Sequence, residues 1–189
     1  LQFIVNTKFN FYLELDNRLI LKIKFHLMKS LVLIGNGGHC KSCIEIIETS
    51  KEFKIKGIIV RPGDQTRKFM NYQVIGNDAK LNECINKNDQ ALICIGQIKS
   101  PEKRIILFDL LIKNTISLAT IKSNTSIISK YASVAHGSCV MHKVVINAGA
   151  KVGANCILNT NSLVEHDSII GNHCHVSTGA IINGDVQIG

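Results

Sequence analysis

Glu165-His166-Asp167 sets an imidazole between two carboxylates. An imidazole with an ordinary pKa of about 6.5 accepts a proton at neutral pH, so such a histidine can act as general base without any covalent intermediate on the protein. A carboxylate beside it, Asp167, can hold the ring in one orientation and stabilise the imidazolium that forms. A second group, Gly35-Asn36-Gly37-Gly38-His39, suits a different task. Glycines let a backbone approach a ligand closely, and the free N–H groups at a helix start attract phosphate. A third, His39 with Cys40-Lys41-Ser42-Cys43, is a fragment of a zinc or redox motif. A four-ligand zinc site needs a second spaced pair, so these cysteines are expected as buried helix residues and no metal is expected. His136, His142 and His173 are assigned to surface or corner positions.

The elements that must carry the first group are set by a repeat. An aliphatic residue recurs every six positions at Val134, Val140, Ile146, Val152, Leu158, Val164, Ile170, Val176, Ile182 and Ile188. Small residues follow four places on at Ser138, Ala150, Cys156, Ser162, Ser168, Cys174 and Ala180. Neither a helix nor a hairpin sheet repeats this way; a left-handed parallel β-helix does, three hexapeptides making one triangular coil. Residues one coil apart then lie above one another, which puts His166 between Ala148 and Gly184 and leaves room beside the imidazole. The repeat stops at Gly189 without a polar closing coil, so a truncated chain is expected.

The glycine group is carried by a strand at 31–34 running into a helix at 40–49, with further strands at 55–60 and 91–96 and helical patterns near 79–86 and 101–113. This is an α/β alternation of the Rossmann-like kind. NAD is a poor ligand for it, because the third fingerprint glycine is replaced by Cys40 and the second strand ends in Arg61 where a ribose-binding acid belongs. The expected organisation is an α/β domain over 28–118 and a β-helix domain, incomplete, over 119–189. Residues 1–27 lack Gly, Ala and Pro and precede the first methionine, Met28, so they are expected to be an upstream extension.

Composition narrows the classes. With 46% hydrophobic and 19% charged residues among 189, the chain folds rather than stays disordered. Charged residues interrupt every apolar stretch before membrane-spanning length, so no membrane association is expected. The formal charge of +8 is spread without a dense basic cluster and aromatics are 5%, which argues against nucleic acid and suits polyphosphate ligands. Seven cysteines at irregular spacing, with no secretory signal, point to free thiols and a cytoplasmic location.

The run 159–167, Asn-Thr-Asn-Ser-Leu-Val-Glu-His-Asp, resembles the active-site coil of the NeuD/PglD-type bacterial sugar acetyltransferases. So do Gly35 to His39, the linking segment 124–134, the run 144–148 and the run 175–180. The resemblance implies an acetyl-CoA-dependent transfer to an amine or hydroxyl of a sugar, with His166 as base and Asp167 orienting it. It places Asn159 and Glu165 near the acceptor, His175 near the acetyl group, and Gly35, Gly37, Gly38 and His39 around a UDP-sugar delivered across a subunit boundary, hence a homotrimer. The flat faces of a triangular prism also favour a three-fold assembly with clefts for coenzyme A between subunits. Backbone N–H groups near Gly184 are the expected oxyanion donors, and Glu165 has the alternative role of a solvated corner residue. The acidic pair that recognises uridine in some relatives is replaced by Arg61-Pro62-Gly63, and Asp64 substitutes only if the turn shifts.

N-acetylation of a nucleotide-linked amino sugar and O-acetylation of a sialic-acid-like sugar fit these residues equally. A non-catalytic β-helix used for trimerisation or binding is the alternative from another class. A β-helix hydrolase with three histidine ligands is disfavoured, since His142 and His166 are 24 apart and fall in different corner columns.

Overall fold

The computed structural model describes residues 28–189; the expectation for residues 1–27 lies outside the described residues. The first half is a six-stranded sheet flanked by helices. Its elements are β1 (Lys29–Ile34), α1 (Gly38–Ser50), β2 (Phe53–Val60), β3 (Lys68–Phe69), β4 (Tyr72–Asn77), a 3-10 turn at Asp78–Lys80, the short α2 (Leu81–Cys84), β5 (Gln90–Ile93), α3 (Glu102–Lys113) and β6 (Ser117–Leu118). The order is β3-β4-β2-β1-β5-β6, parallel except for the β3–β4 hairpin. Leu31, Leu33 and Ile58 face α1, while Val32, Ile34, Ile59 and Ile93 face α3 through Leu107 and Leu111. A central strand buried on both faces reads as a continuous apolar run, as Leu31 to Ile34 does. The helical pattern near 79–86 yields only a 3-10 turn and one α-turn, because Ile85 is extended and Asp89 caps the segment by accepting from the Asn86 N–H.

Beyond Leu118 the chain winds into a left-handed parallel β-helix. Face one stacks the strands Ile121–Lys122, Cys139–Val140, Ile157–Leu158 and His175–Val176. Face two stacks Ile127–Ile128, Val145–Ile146, Leu163–Val164 and Ile181–Ile182; face three stacks Ser133–Val134, Lys151–Val152, Ile169–Ile170 and Gln187–Ile188. Paired residues are one coil apart: Val145 pairs with Leu163, and Leu163 with Ile181. The aliphatic column from Val140 to Ile182 points inward and is buried at every position. The coiling begins at Ile121, before the aliphatic count opens at Val134: Ile128 carries the column one step back, and Lys122 interrupts it at its first position.

The corners have a period of their own. Positive φ recurs at Gly137, Lys143, Gly149, Asn155, Asn161, Asp167, His173, Gly179 and Asp185, one residue per hexapeptide. Asn, Asp and Gly tolerate this left-handed conformation best, which explains their alternation with aliphatics along the chain.

The two halves share a core. Helix α1 lies on face one, its Cys40, Cys43, Ile44 and Ile47 continuous with Ile121, Cys139 and Met141. The Asn124 side chain donates to the Thr49 carbonyl at the end of α1. On the other side Arg104 of α3 is 1% exposed and donates to the Ile93 and Ile95 carbonyls and to Oδ1 of Asn155 at 2.6 Å. Asn155 donates back to the Arg104 carbonyl, and Phe108 packs between the rings of His136 and His173. His136 and His173 therefore lie at a prism corner, but as packing partners of α3. Burial holds the His173 pKa below the usual imidazole value.

Candidate active site: a base at one corner and two cavities around the glycine loop

The general-base candidate sits at the corner between faces two and three. Asp167 takes φ 61°, and that left-handed turn folds its carboxylate back toward the preceding residue. Asp167 Oδ2 lies 3.0 Å from His166 Nδ1. A carboxylate accepts only, so Nδ1 carries the proton and Nε2 keeps its lone pair. The Asp167 hydrogen bond raises the His166 pKa above 6.5, helped by the charges of Asp167, Glu165 and Asp185 against a smaller opposing effect of desolvation. The ring is mostly open to solvent, with 64% of its side chain exposed.

Gly184 stands one coil above, as the repeat predicts: the Asp185 N–H donates to the His166 carbonyl, and the Asp167 N–H donates to Ala148 below. A Cβ on Gly184 would lie 2.7 Å from His166 Nε2, so the bare backbone at this position is what lets the imidazole lie flat against the coil above. Glu165 is half-buried and anchored: Oε2 accepts from Asn147 Nδ2 at 2.9 Å and from the His166 N–H. Of the two roles open to it in the sequence, the structure disfavours the freely solvated one. Asn147 precedes Glu165 by one coil, so the stacking rule contained this contact.

The glycine loop occupies the carboxyl end of β1, between β2 and β5, where the strand order reverses direction from β1. Ligands in open parallel sheets bind at such a point. A cavity of about 520 Å³ opens there, lined by Gly35, Asn36, Gly37, Arg61, Asp64 and Lys103 among others. Gly35 has φ 114° and a Cβ there would meet Ile95 at 2.9 Å, whereas Gly37 and Gly38 face open space. Helix α1 starts without a side-chain cap or an acidic residue in its first turn, leaving its N–H groups to a ligand. The turn after β2 does bring Asp64 into this cavity: it accepts from Asn36 Nδ2 at 3.1 Å and from the Thr66 N–H at 2.9 Å. The Thr66 hydroxyl and N–H, then Asn36, hold its carboxyl below the usual range.

A second cavity, also about 520 Å³, lies where the loop meets face one; Gly38, His39, Gly96, Met141, Asn159 and His175 line it. His175 Nδ1 donates to the Gln97 carbonyl, which leaves Nε2 to accept from Asn159 Nδ2 at 3.2 Å. His39 points Nε2 at Cys43 Sγ, 3.5 Å away. Cys40 and Cys43 are fully buried, as the helix reading expects. Hydrogen bonds from Cys139 and then Cys94 draw the Cys43 pKa down to about 6 against its burial. The Cys139 and Cys94 thiols, hydrogen-bonded to it and buried, are pushed up.

Residues 30–106 match the family described as the PglD N-terminal domain. The acetyltransferase domain of PglB from Neisseria gonorrhoeae FA1090, solved in complex with acetyl coenzyme A, superposes with a TM-score of 0.77 at 25% identity, over 86% of this chain and 77% of that one. A histidine-to-alanine mutant of GDP-perosamine N-acetyl transferase from Caulobacter crescentus, in complex with CoA and GDP-perosamine, gives 0.75 at 27%, over 84% of this chain and 73% of that one. The α/β half of the chain is similar to the PglD N-terminal domain, and the chain as a whole has the fold of these sugar acetyltransferases. WeeI from Acinetobacter baumannii AYE, at 18% identity with a TM-score of 0.71, shares the fold.

The site residues expected from the sequence fall into two groups. Gly35, Gly37, Gly38, His39, Asn159 and His175 gather around the two cavities of the glycine loop. His166, Asp167, Glu165 and Gly184 gather at the corner between faces two and three. Asn159 lies at the corner between faces one and two, so a single chain does not bring it beside His166. Asn36 and Lys103 were not singled out as cavity residues, nor Gln97 as the partner of His175. No helix among the described residues is long and apolar enough to cross a membrane.

Proposed function

We propose that this chain is an acetyl-CoA-dependent acetyltransferase that acylates an amino group on a nucleotide-linked sugar, with His166 as general base. The observation that carries this reading is the His166 geometry: Nδ1 held by Asp167 at 3.0 Å and Nε2 free, lying against the bare Gly184. His166 Nε2 takes a proton from the acceptor as its nitrogen attacks the thioester carbonyl. Asp167 fixes the tautomer and stabilises the imidazolium. The tetrahedral oxyanion is met by backbone N–H groups near Gly184, and collapse expels the coenzyme A thiolate, which takes up the proton held by His166. Proton transfer and charge stabilisation in this scheme rest on the chain's own groups.

The cavity at the end of β1 supports a nucleotide-linked acceptor. The α1 N-terminus, Arg61 and Lys103 offer positive charge for a diphosphate, while Asp64 and Asn36 offer acceptors and donors for a base. The likeness to a transferase solved with GDP-perosamine favours this acceptor over a free sialic-acid-like sugar. UDP and GDP both fit the chemistry of this cavity.

The separation of the two groups supports a homotrimer. On face two, Ile127 and Ile181 are 66% and 68% exposed and share a column with Val145 and Leu163. A second copy covering this column brings its glycine-loop cavity toward His166, with Asn159 and His175 entering the shared cleft from one subunit and Glu165 from the other. The coenzyme A arm lies along that cleft, and the free thiols of the described residues support a cytoplasmic location.

The pH profile tests the base. Because Asp167 raises the His166 pKa, the acid limb of kcat/KM lies above 6.5, activity falling as pH drops through the raised pKa and His166 becomes protonated. Asp167→Asn, which removes the charge and leaves at most a neutral hydrogen bond to Nδ1, moves the limb to lower pH and lowers the plateau. An acid limb unmoved by Asp167→Asn contradicts the assignment.

A further inference from the structure

His39, Cys43 and Cys139 bring one nitrogen and two sulfurs to within 4.8 Å of one another, with His39 Nε2 and Cys43 Sγ at 3.5 Å. The three come from both halves of the chain. His39 and Cys43 are four apart on α1 and share one helix face. Cys139 is the outward residue of its face-one strand, beside the inward Val140, and points at α1. Both cysteines are 0% exposed. The sequence shows only the two members of this set that lie on α1; the third comes from a strand about 100 residues away that coiling places under the helix.

We propose that His39, Cys43 and Cys139 bind a Zn2+ that ties the start of α1 to face one of the β-helix, the fourth position being left to a water from the cavity that His39 lines. Zinc bound at about 2.3 Å to sulfur and about 2.0 Å to imidazole nitrogen holds a sulfur–nitrogen pair about 3.5 Å apart and a sulfur–sulfur pair about 3.8 Å apart. The His39–Cys43 pair already has that separation, and the set closes on the ion by side-chain shifts within its present span. Two thiolates and a neutral imidazole cancel the charge of a divalent ion, which permits the site to stay buried, and soft sulfur ligands select zinc over the hard cations. Binding forms two Zn–S bonds and releases whatever protons the two sulfurs still carry. Cys94, hydrogen-bonded to Cys43, lies behind that sulfur on the β5 side. Coordination through Nε2 leaves the His39 proton on Nδ1, giving the cavity beside Asn159 and His175 a fixed donor. The metal takes no part in acetyl transfer, so the proposal is read without turnover.

The full chain, purified from zinc-supplemented medium without chelator, is expected to hold about one Zn2+ per chain. Exchange with Co2+ is expected to give the near-ultraviolet thiolate charge-transfer band and the strong visible bands of a tetrahedral site. Titrating the metal-free chain with Co2+ should release protons as the ion binds. Cys43→Ser and Cys139→Ser lose the band, whereas Cys156→Ser, a buried cysteine inside the prism, keeps it. The wild-type titration decides the matter even where a variant fails to fold: Co2+ added in equimolar amount that yields neither band nor protons overturns the proposal, as does loss of the band in Cys156→Ser to the same extent as in Cys139→Ser.

Discussion

His166→Ala is expected to lower acceptor-dependent release of coenzyme A thiol by about 10²–10⁴-fold, the range general-base catalysis contributes. The fold should be indifferent to the change. The side chain is 64% exposed, and its inward neighbours Val164 and Ile170 keep the column intact. Thermal midpoints of the two proteins are therefore expected to agree closely. The Michaelis constant for acetyl-CoA should change little, because the loss falls on the proton-transfer step. The open position of the ring permits a further check: free imidazole can enter the space left in His166→Ala and should restore part of the rate. A variant that keeps its rate, or loses it together with its thermal stability, removes His166 from the role of base.

Gly184→Ala is expected to cost about 10²-fold in kcat, with nearly unchanged stability. The added Cβ would lie 2.7 Å from Nε2 and 2.8 Å from Cε1 of His166, closer than any real contact. The ring is the movable partner, since it is a solvent-exposed side chain and the backbone above it is fixed by the Asp185-to-His166 hydrogen bond. It therefore swings away, at little cost to folding, and a displacement of about 1 Å at a reacting group costs a rate factor of this size. The variant separates position from chemistry: His166 keeps its Asp167 partner and its elevated pKa, so the acid limb should stay in place while the plateau drops. Equal activity in Gly184→Ala would show that the face of the imidazole toward the next coil is not where the acceptor is deprotonated.

The parts of this fold legible in the sequence are those with a strict period. The inward column from Val134 to Ile182 declares the prism, and the coil length follows from it, which put Gly184 over His166 before any coordinates. A second period, the positive-φ corner residues, was equally present in the chain and explains why Asp167 can reach back to Nδ1. The anchoring of Glu165 by Asn147 followed from the same stacking rule. What the sequence did not disclose depends on how the two halves meet. Cys139 meets Cys43, Arg104 is buried against Asn155, and Gln97 holds His175, all through contacts between segments with no shared periodicity. Asp64 was doubtful for a related reason: its place in the cavity depends on the turn at Arg61 to Gly63, whose course is set by Asn36 and Thr66 rather than by a repeat.

In the proposed reaction the two groups of site residues have separate tasks. The α/β half offers charge and shape for a nucleotide, and the corner at His166 offers a base on a rigid coil. The buried clamp of Arg104 and Asn155 fixes the halves against each other, so the span from glycine loop to His166 is constant. In the proposed trimer, a rigid span would make delivery of a sugar to a neighbouring subunit a matter of assembly geometry rather than of motion.

The most direct measurement is acetyl transfer itself: the chain is incubated with acetyl-CoA and either a UDP- or GDP-linked amino sugar or a sialic-acid-type sugar, and free thiol and acetylated sugar are quantified together. The account predicts equal amounts of thiol and N-acetylated nucleotide sugar, little product from the sialic-acid-type acceptor, and loss of both signals in His166→Ala. Thiol release that needs no acceptor, or that survives removal of His166, would contradict it.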